Sequence, residues 1–354
     1  MKGLVLAAGL GTRLRPITSL RPKPTISVAN RPLIHYAIDN LAAAGVTEIG
    51  VVVNPPIYEY IKEILDERDD VRVSYIIQDP PLGLAHAVKV SREFLGDESF
   101  VMYLSDNLFE KGIADVVAAF ERGEANAVLA LTEVEDPRAL GVAIVEEGRV
   151  KQLVEKPEVP PSKLAISGVY VFDSSIHAMI EGLEPGAKGE YQITDAIQRL
   201  IESGGTVAAQ TVQGWWKDTG KPEDILDANR LLLMQLSCRS EGRIEESELV
   251  GEVVVGAGSV IRGSTVFGPV LIGENVVLEE AFIGPYTTIG DGVTVRNAEL
   301  EYAVVGAGTT IEGIKNRIQG SLIGEQVELM GRRGRPSTHK LVIGDKSQAV
   351  LEEG

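Results

Sequence analysis

Short apolar runs alternate with stretches of helical spacing through the first two thirds of the chain. Leu4, Val5 and Leu6 form a run that reads as a buried strand and gives way to small residues. Over 31–44 the apolar positions recur at helical spacing, and Gly45 ends them. The same reading predicts strands over 49–53, 71–77, 100–104, 127–131 and 206–212, and helices over 57–65, 82–94, 113–120 and 191–203. Pro222 stands near the start of a further helix that runs to about residue 236. This alternation predicts a mainly parallel sheet with helices on both faces. Ligands then bind beyond the carboxyl ends of the strands. Over 141–172 the strands crowd together, which predicts an antiparallel insertion forming one wall of a pocket.

After Gly242 the rhythm changes. Val250, Val255, Ile261, Phe267, Ile272, Leu278, Ile283, Ile289, Val295, Leu300, Val305, Ile311, Ile318, Ile323 and Leu329 fall five or six residues apart, with one gap of seven. Glycine follows many of them, as at 251, 256, 268, 273, 284, 290, 306 and 324. A hexapeptide period predicts a parallel β-helix of triangular section. The apolar residue fills the inside of each corner and the small one permits the turn. Three corners per coil gives about five coils. A β-sandwich is the alternative, but its strands alternate with period two. The chain thus divides into a first domain over 1–236, a polar linker over 237–243 and the β-helix with its tail over 244–354. A basic loop over 331–336 and a closing strand over 341–343 end the pattern.

Bulk properties narrow the partners. The chain has 354 residues and is 44% hydrophobic, enough for two substantial cores. A net charge of -17 and 5% aromatics argue against nucleic acid as a partner. No apolar run approaches membrane-spanning length, and Met1 leads straight into a strand, so a cytoplasmic protein is expected. Cys238 is the sole cysteine, which excludes an internal disulfide and any cysteine-based zinc site.

Against that acidic background, 3–23 stands out. The first strand runs into a turn holding Gly9 and Gly11, followed by Arg13, Arg15 and Lys23. Backbone N–H groups in a glycine turn can cradle phosphate oxygens, and Arg offers them a fork of donors. The stretch lacks the Lys-Ser/Thr pair of a P-loop. It also lacks the third glycine of a dinucleotide fingerprint, where Leu14 stands. Taken alone, Gly9-Leu-Gly11 also fits an ordinary strand-to-helix turn.

Five stretches in order then carry a resemblance: G-L-V-L-A-A-G-L-G-T-R-L-R-P-I-T-S-L-R-P-K at 3–23, Q-D-P-P-L-G-L-A-H-A at 78–87, L-S-D-N at 104–107, V-E-K-P at 154–157 and W-W-K-D-T-G at 215–220. Together they resemble the sugar-1-phosphate nucleotidyltransferases, closest to the long-form thymidylyltransferase branch. The resemblance implies a Rossmann-like nucleotidyltransferase domain followed by a left-handed β-helix. It also implies transfer of a nucleotidyl group from dTTP to glucose 1-phosphate with Mg²⁺. UTP or another hexose phosphate is the alternative, since one methyl discriminates weakly.

That chemistry joins two anions. A sugar phosphate is already ionised, so cations and a pair of carboxylates are needed rather than a nucleophilic Ser, Cys or His. Asp106 and Asp218 fall on the family's metal aspartates, though each also fits a turn or capping Asp. By the same resemblance, Ala8, Gly9, Gly11, Thr12 and Arg13 bind the nucleotide, with Arg13 on the triphosphate and Lys23 supporting it. Gln78 pairs with the pyrimidine edge and Gly83 admits base or ribose. Lys156 grips the sugar phosphate, Glu155 and Glu190 take sugar hydroxyls, and Gly141 and Gly168 press backbone against the sugar. From sequence alone, Glu155 and Lys156 also fit an exposed turn. His86 is expected to be structural, and Trp215 and Trp216 to pack in the core. The β-helix is expected to assemble a homotrimer or larger homo-oligomer. An acyltransferase role there is disfavoured, because 250–329 holds no His and His339 lies in the tail. A catalytically silent regulatory subunit is disfavoured because the charged set is intact.

Overall fold

The computed structural model describes residues 1–9, 11–186 and 189–331. The basic stretch from 332 to 336, the strand expected over 341–343, and His339 lie outside them.

The first unit comprises the chain up to the glycine turn together with Arg21–Thr25 and Pro32–Thr219. Its strands are β1 Lys2–Leu6, β2 Glu48–Val53, β3 Arg72–Ile77, β4 Phe100–Leu104, β5 Ala127–Glu133, β6 Gly141–Glu146, β7 Arg149–Glu155, β8 Leu164–Phe172 and β9 Val207–Thr211. They form one sheet in the order β3-β2-β1-β4-β8-β5-β9-β7-β6. β1, β2, β3 and β4 are mutually parallel, as is β5 with β9. β8 runs antiparallel to both of its central neighbours, β4 and β5.

This last pairing corrects the expectation for 141–172. β6 and β7 form an antiparallel hairpin at the sheet edge. β8 instead fills the middle of the sheet, because Ala165 through Phe172 is a continuous buried run that needs cover on both faces.

Seven of the helices are α1 Leu33–Ala43, α2 Tyr58–Leu65, α3 Leu84–Val90, α4 Arg92–Leu95, α5 Ala114–Glu121, α6 Ser175–Glu181 and α7 Ile193–Glu202. Period-two alternation in β1 sorts them. Leu4 and Leu6 pack in one core with α3, α6 and α7, and Val5 packs in the other with α1, α2 and α5. The helix expected over 82–94 is broken in two. Fully buried Ser91 returns its hydroxyl to the Ala87 carbonyl (2.7 Å), and α4 begins after it.

The second unit comprises Gly11–Leu20, Ile26–Arg31 and the chain from Gly220 onward. It contains α8 Pro222–Leu233, with Pro222 at its first turn. Among its described residues, short parallel strands stack in three ladders and form a left-handed parallel β-helix. Leu249, Val266, Ile283, Leu300 and Ile318 stack down one interior corner. Val255, Ile272, Ile289, Val305 and Ile323 stack down the second, and Ile261, Leu278, Val295, Ile311 and Leu329 down the third.

Two corner residues differ from the sequence reading. Val250 and Phe267 are 43% and 37% exposed, and their neighbours Leu249 and Val266 point inward. The glycines have a further reason beyond the turn. A Cβ on Gly256 would meet the carbonyl carbon of Gly273 at 2.5 Å, and one on Gly306 would meet Gly324 at 2.6 Å. Successive coils therefore approach too closely there for a side chain. Buried Asn229 ties α8 to this stack through Thr288 (2.8 Å) and the Tyr286 carbonyl (3.2 Å). Among the described residues no helix is long and apolar enough to cross a membrane.

Candidate active site

Lys23 lies between two prolines in a short 3₁₀ turn, Lys23–Thr25, closed by Thr25 bonding back to Pro22. The turn is buried and Lys23 is only 8% exposed, so its ammonium needs an anion. Asp106 supplies it: Nζ lies 2.5 Å from Oδ2, and 3.9 Å from Asp218 Oδ1.

The two aspartates are distant in sequence and meet through a small ribbon. After β4 the chain turns through Ser105 and Asp106 into Asn107–Phe109, which pairs antiparallel with Trp216–Asp218 and sets Asn107 opposite Asp218. Thr219 closes the junction, its N–H and hydroxyl both donating to the Asp106 carbonyl (3.0 and 2.9 Å). Asn107 braces the pair. Its Nδ2 donates to Asp106 Oδ1 (2.8 Å), and its Oδ1 accepts from Trp216 Nε1 (2.8 Å). Trp216 thus packs against the core, as expected, and also anchors Asn107.

Gly168, in β8, has φ +78°, and a Cβ there would lie 2.8 Å from the Asn107 side chain. The glycine makes room for Asn107. Asn107 was not singled out from sequence, although it adjoins Asp106 in the L-S-D-N stretch.

A second cluster sits on the β6–β7 hairpin, where Gly141 pairs with Glu155. Glu155 binds Lys156 Nζ (2.8 Å) and accepts from Thr194 (3.2 Å). Lys156 has φ +43° and donates its N–H to the Leu140 carbonyl. A Cβ on Gly141 would crowd Ile166 and Thr194 at 3.1 Å. Burial first, and Glu155 second, holds the Asp195 carboxyl above its usual range. The same two causes raise the Tyr170 phenol.

A third cluster surrounds Gln78, which is 4% exposed at the end of β3. Its Nε2 lies 3.0 Å from the Gly83 carbonyl oxygen and 3.1 Å from His86 Nδ1. Gly83 has φ +100°, and the space its Cβ would take is filled by the Tyr191 backbone (2.7 Å to O). Glu190 adjoins the same spot and accepts from Gln192. The His86 ring stacks on Tyr191, 6.2 Å between centroids. Burial, and after it Lys89, depresses the His86 pKa, which favours the neutral ring.

The glycine-turn residues are split between the units. In the first, Ala8 is buried and its carbonyl accepts from Asn54 (2.9 Å), and Gly9 faces open space. In the second, Gly11 has φ +57° and opens a 3₁₀ turn over Thr12–Leu14. There the Arg13 guanidinium lies over Gly220, where a Cβ would come within 3.4 Å. Gly220 ends the W-W-K-D-T-G stretch and was not singled out from sequence.

The family model described as nucleotidyl transferase matches residues 2–235. The glucose-1-phosphate thymidylyltransferase of Streptomyces antibioticus is 42% identical over 99% of this chain and 100% of its own length. The low-salt glycan biosynthesis nucleotidyltransferase Agl11 of Haloferax volcanii is also 42% identical, over 99% of this chain and 100% of its own. Among solved structures, a UDP-glucose pyrophosphorylase complexed with UDP-glucose is similar at a TM-score of 0.60 and 28% identity, covering 66% of this chain and 98% of that one.

Proposed function

The chain belongs to the nucleotidyl transferase family, and from that premise we propose that it transfers a nucleotidyl group from dTTP to glucose 1-phosphate, releasing pyrophosphate. One observation carries the reading: Asp106 and Asp218 converge on the buried ammonium of Lys23. Enzymes of this family are generally divalent-metal dependent. The donor set fits Mg²⁺, which takes one or two carboxylates and completes its shell with phosphate and water. Both carboxylates already face one positive charge within 4.0 Å, and no group of three or more possible metal ligands exists among the described residues. In this proposal Asp106 and Asp218 hold the ion, and when bound it neutralises charge on the triphosphate.

The protein's own groups do the rest. Arg13 and Lys23 bind triphosphate oxygens, with Ala8, Gly9, Gly11 and Thr12 lining the nucleotide. Gln78 and Gly83 take the base, and Lys156 holds the sugar phosphate. Glu155, Glu190, Gly141 and Gly168 hold the sugar. An oxygen of glucose 1-phosphate attacks the α-phosphorus, a new P–O bond forms, and the α–β bridging bond breaks. The electron pair leaves on pyrophosphate. The attacking phosphate carries its charge beforehand, so positioning and charge neutralisation supply the catalysis. The β-helix, in the same proposal, assembles a homotrimer or larger closed oligomer.

Pyrophosphate release over a matrix of nucleoside triphosphates and sugar 1-phosphates tests the reading. Release with dTTP, glucose 1-phosphate and Mg²⁺ is expected, and no release with any pair overturns it. Light scattering on the full chain tests the oligomer, and a monomer overturns that part.

A further inference from the structure

The Gln78 side chain is held in one orientation by its neighbours. The Gly83 carbonyl oxygen, 3.0 Å away, can only accept, so the atom facing it must be the amide nitrogen Nε2 rather than Oε1. The same Nε2 lies 3.1 Å from His86 Nδ1. A neutral imidazole can present a bare nitrogen there and carry its hydrogen on Nε2. Both hydrogens of the Gln78 amide are then spent inside the protein. What the side chain still offers is Oε1, for which no donor is found among the described residues. The His86 ring is itself fixed by stacking on Tyr191.

We propose that His86 is a specificity-positioning residue: by occupying one hydrogen of the Gln78 amide, it presents only a carbonyl acceptor to the base, so the site takes uracil or thymine and rejects cytosine. The inference rests on the assignment of Gln78 to the nucleotide base. Uracil and thymine carry a hydrogen on N3 that a carbonyl oxygen accepts. Cytosine carries a lone pair there, which faces Oε1 with no hydrogen between them. A free glutamine would turn its amide over and donate to cytosine. Here the turned amide would set Oε1 against the Gly83 carbonyl, and His86 adds the second restraint. The site does not separate thymine from uracil by this contact, because both present the same N3–H.

The test is steady-state kinetics with dTTP, UTP and CTP on the wild type, His86→Leu and His86→Gln. In His86→Leu one amide hydrogen loses its acceptor. The ratio of kcat/KM for UTP over CTP is expected to fall about tenfold, mainly through KM. In His86→Gln the new side-chain oxygen can accept that hydrogen, and the ratio is expected to return toward the wild-type value. A purely structural role would lower turnover with all three nucleotides alike and leave the ratio unmoved. An unmoved ratio in His86→Leu overturns the inference, with turnover of dTTP still supporting the proposed function. If His86→Leu does not fold, a reduced ratio in His86→Gln overturns it instead, and a retained ratio supports it. No turnover of any nucleotide by the wild type overturns the proposed function and this inference with it.

Discussion

Replacing Lys23 with methionine separates the electrostatic account of the site from the catalytic one. The substitution keeps an unbranched side chain one atom shorter and removes its charge. At an effective dielectric near 20, the gross attraction of the ammonium is about 7 kcal/mol to Asp106 at 2.5 Å and about 4 kcal/mol to Asp218 at 3.9 Å. Desolvation of the buried ammonium offsets most of that. Breaking a fully buried pair costs about 3–5 kcal/mol, because one charge is left unanswered. Here the carboxylates keep 28% and 33% of their side-chain surface in water, so a loss of about 2 kcal/mol is expected. For a domain of this size that is a drop in Tm of about 4–8 °C. Mg²⁺ should then stabilise the variant more than the wild type, since no ammonium has to leave the carboxylates first. At ten times its Kd the ion would restore about 1.4 kcal/mol. Thermal melts of both proteins, without nucleotide and with Mg²⁺ or EDTA, measure this directly. A Lys23→Met protein that melts with the wild type, or two proteins with equal Mg²⁺ responses, would refute the shared-site reasoning.

Other consequences can be checked alongside. Asp106→Asn keeps the shape of the turn but removes a carboxylate charge, and pyrophosphate release should fall about a hundredfold or more. Gly168→Ala combines φ +78° with a Cβ placed 2.8 Å from Asn107, so it should cost about 1–3 kcal/mol in a thermal melt and depress kcat by displacing the brace on Asp106. Ile289→Ala empties a fully buried corner between Ile272 and Val305 and should cost about 3 kcal/mol in denaturant unfolding, with turnover per folded molecule retained. Competition between dTTP and UTP should show less than about a hundredfold preference, the limit for one methyl in an apolar contact.

Elements long enough to show a period were legible. The expected strand over 100–104 coincides with β4, and the expected strand over 127–131 forms most of β5. Helix α6 was overlooked because it is only seven residues long, although Ile176 and Ile180 are spaced for one helical face. The β-helix was visible as a repeat, but two corners slipped by one place. Leu249-Val250 and Val266-Phe267 are both apolar pairs, and a spacing of five or six accepts either member. A coil advances 17 residues from Val266 to Ile283 and again from Ile283 to Leu300, as the pairings show, so counting whole coils selects Leu249 and Val266. The strand register also decides it, because a one-residue slip turns the side chain to the other face.

The site was legible to a different depth. Nothing in the spacing of Asp106 and Asp218 signals that they meet, because the ribbon joining them is three residues on each strand. Three residues cannot establish a period, so only the resemblance pointed to the pair. The bracing residues were harder still. Asn107 and Thr194 bear polar side chains that are individually unremarkable, and their value lies in atoms supplied by distant segments, Trp216 for Asn107 and Glu155 for Thr194, while His86 meets Gln78 within the 78–87 stretch through a turn that periodicity does not reveal. Glycines point the other way. Gly83, Gly141 and Gly168 stood out in sequence as places for a ligand, yet Tyr191, Thr194 and Asn107 lie where their Cβ atoms would fall. At such positions a glycine is a record of what protein must pass close by, and a ligand can use only the sides that remain.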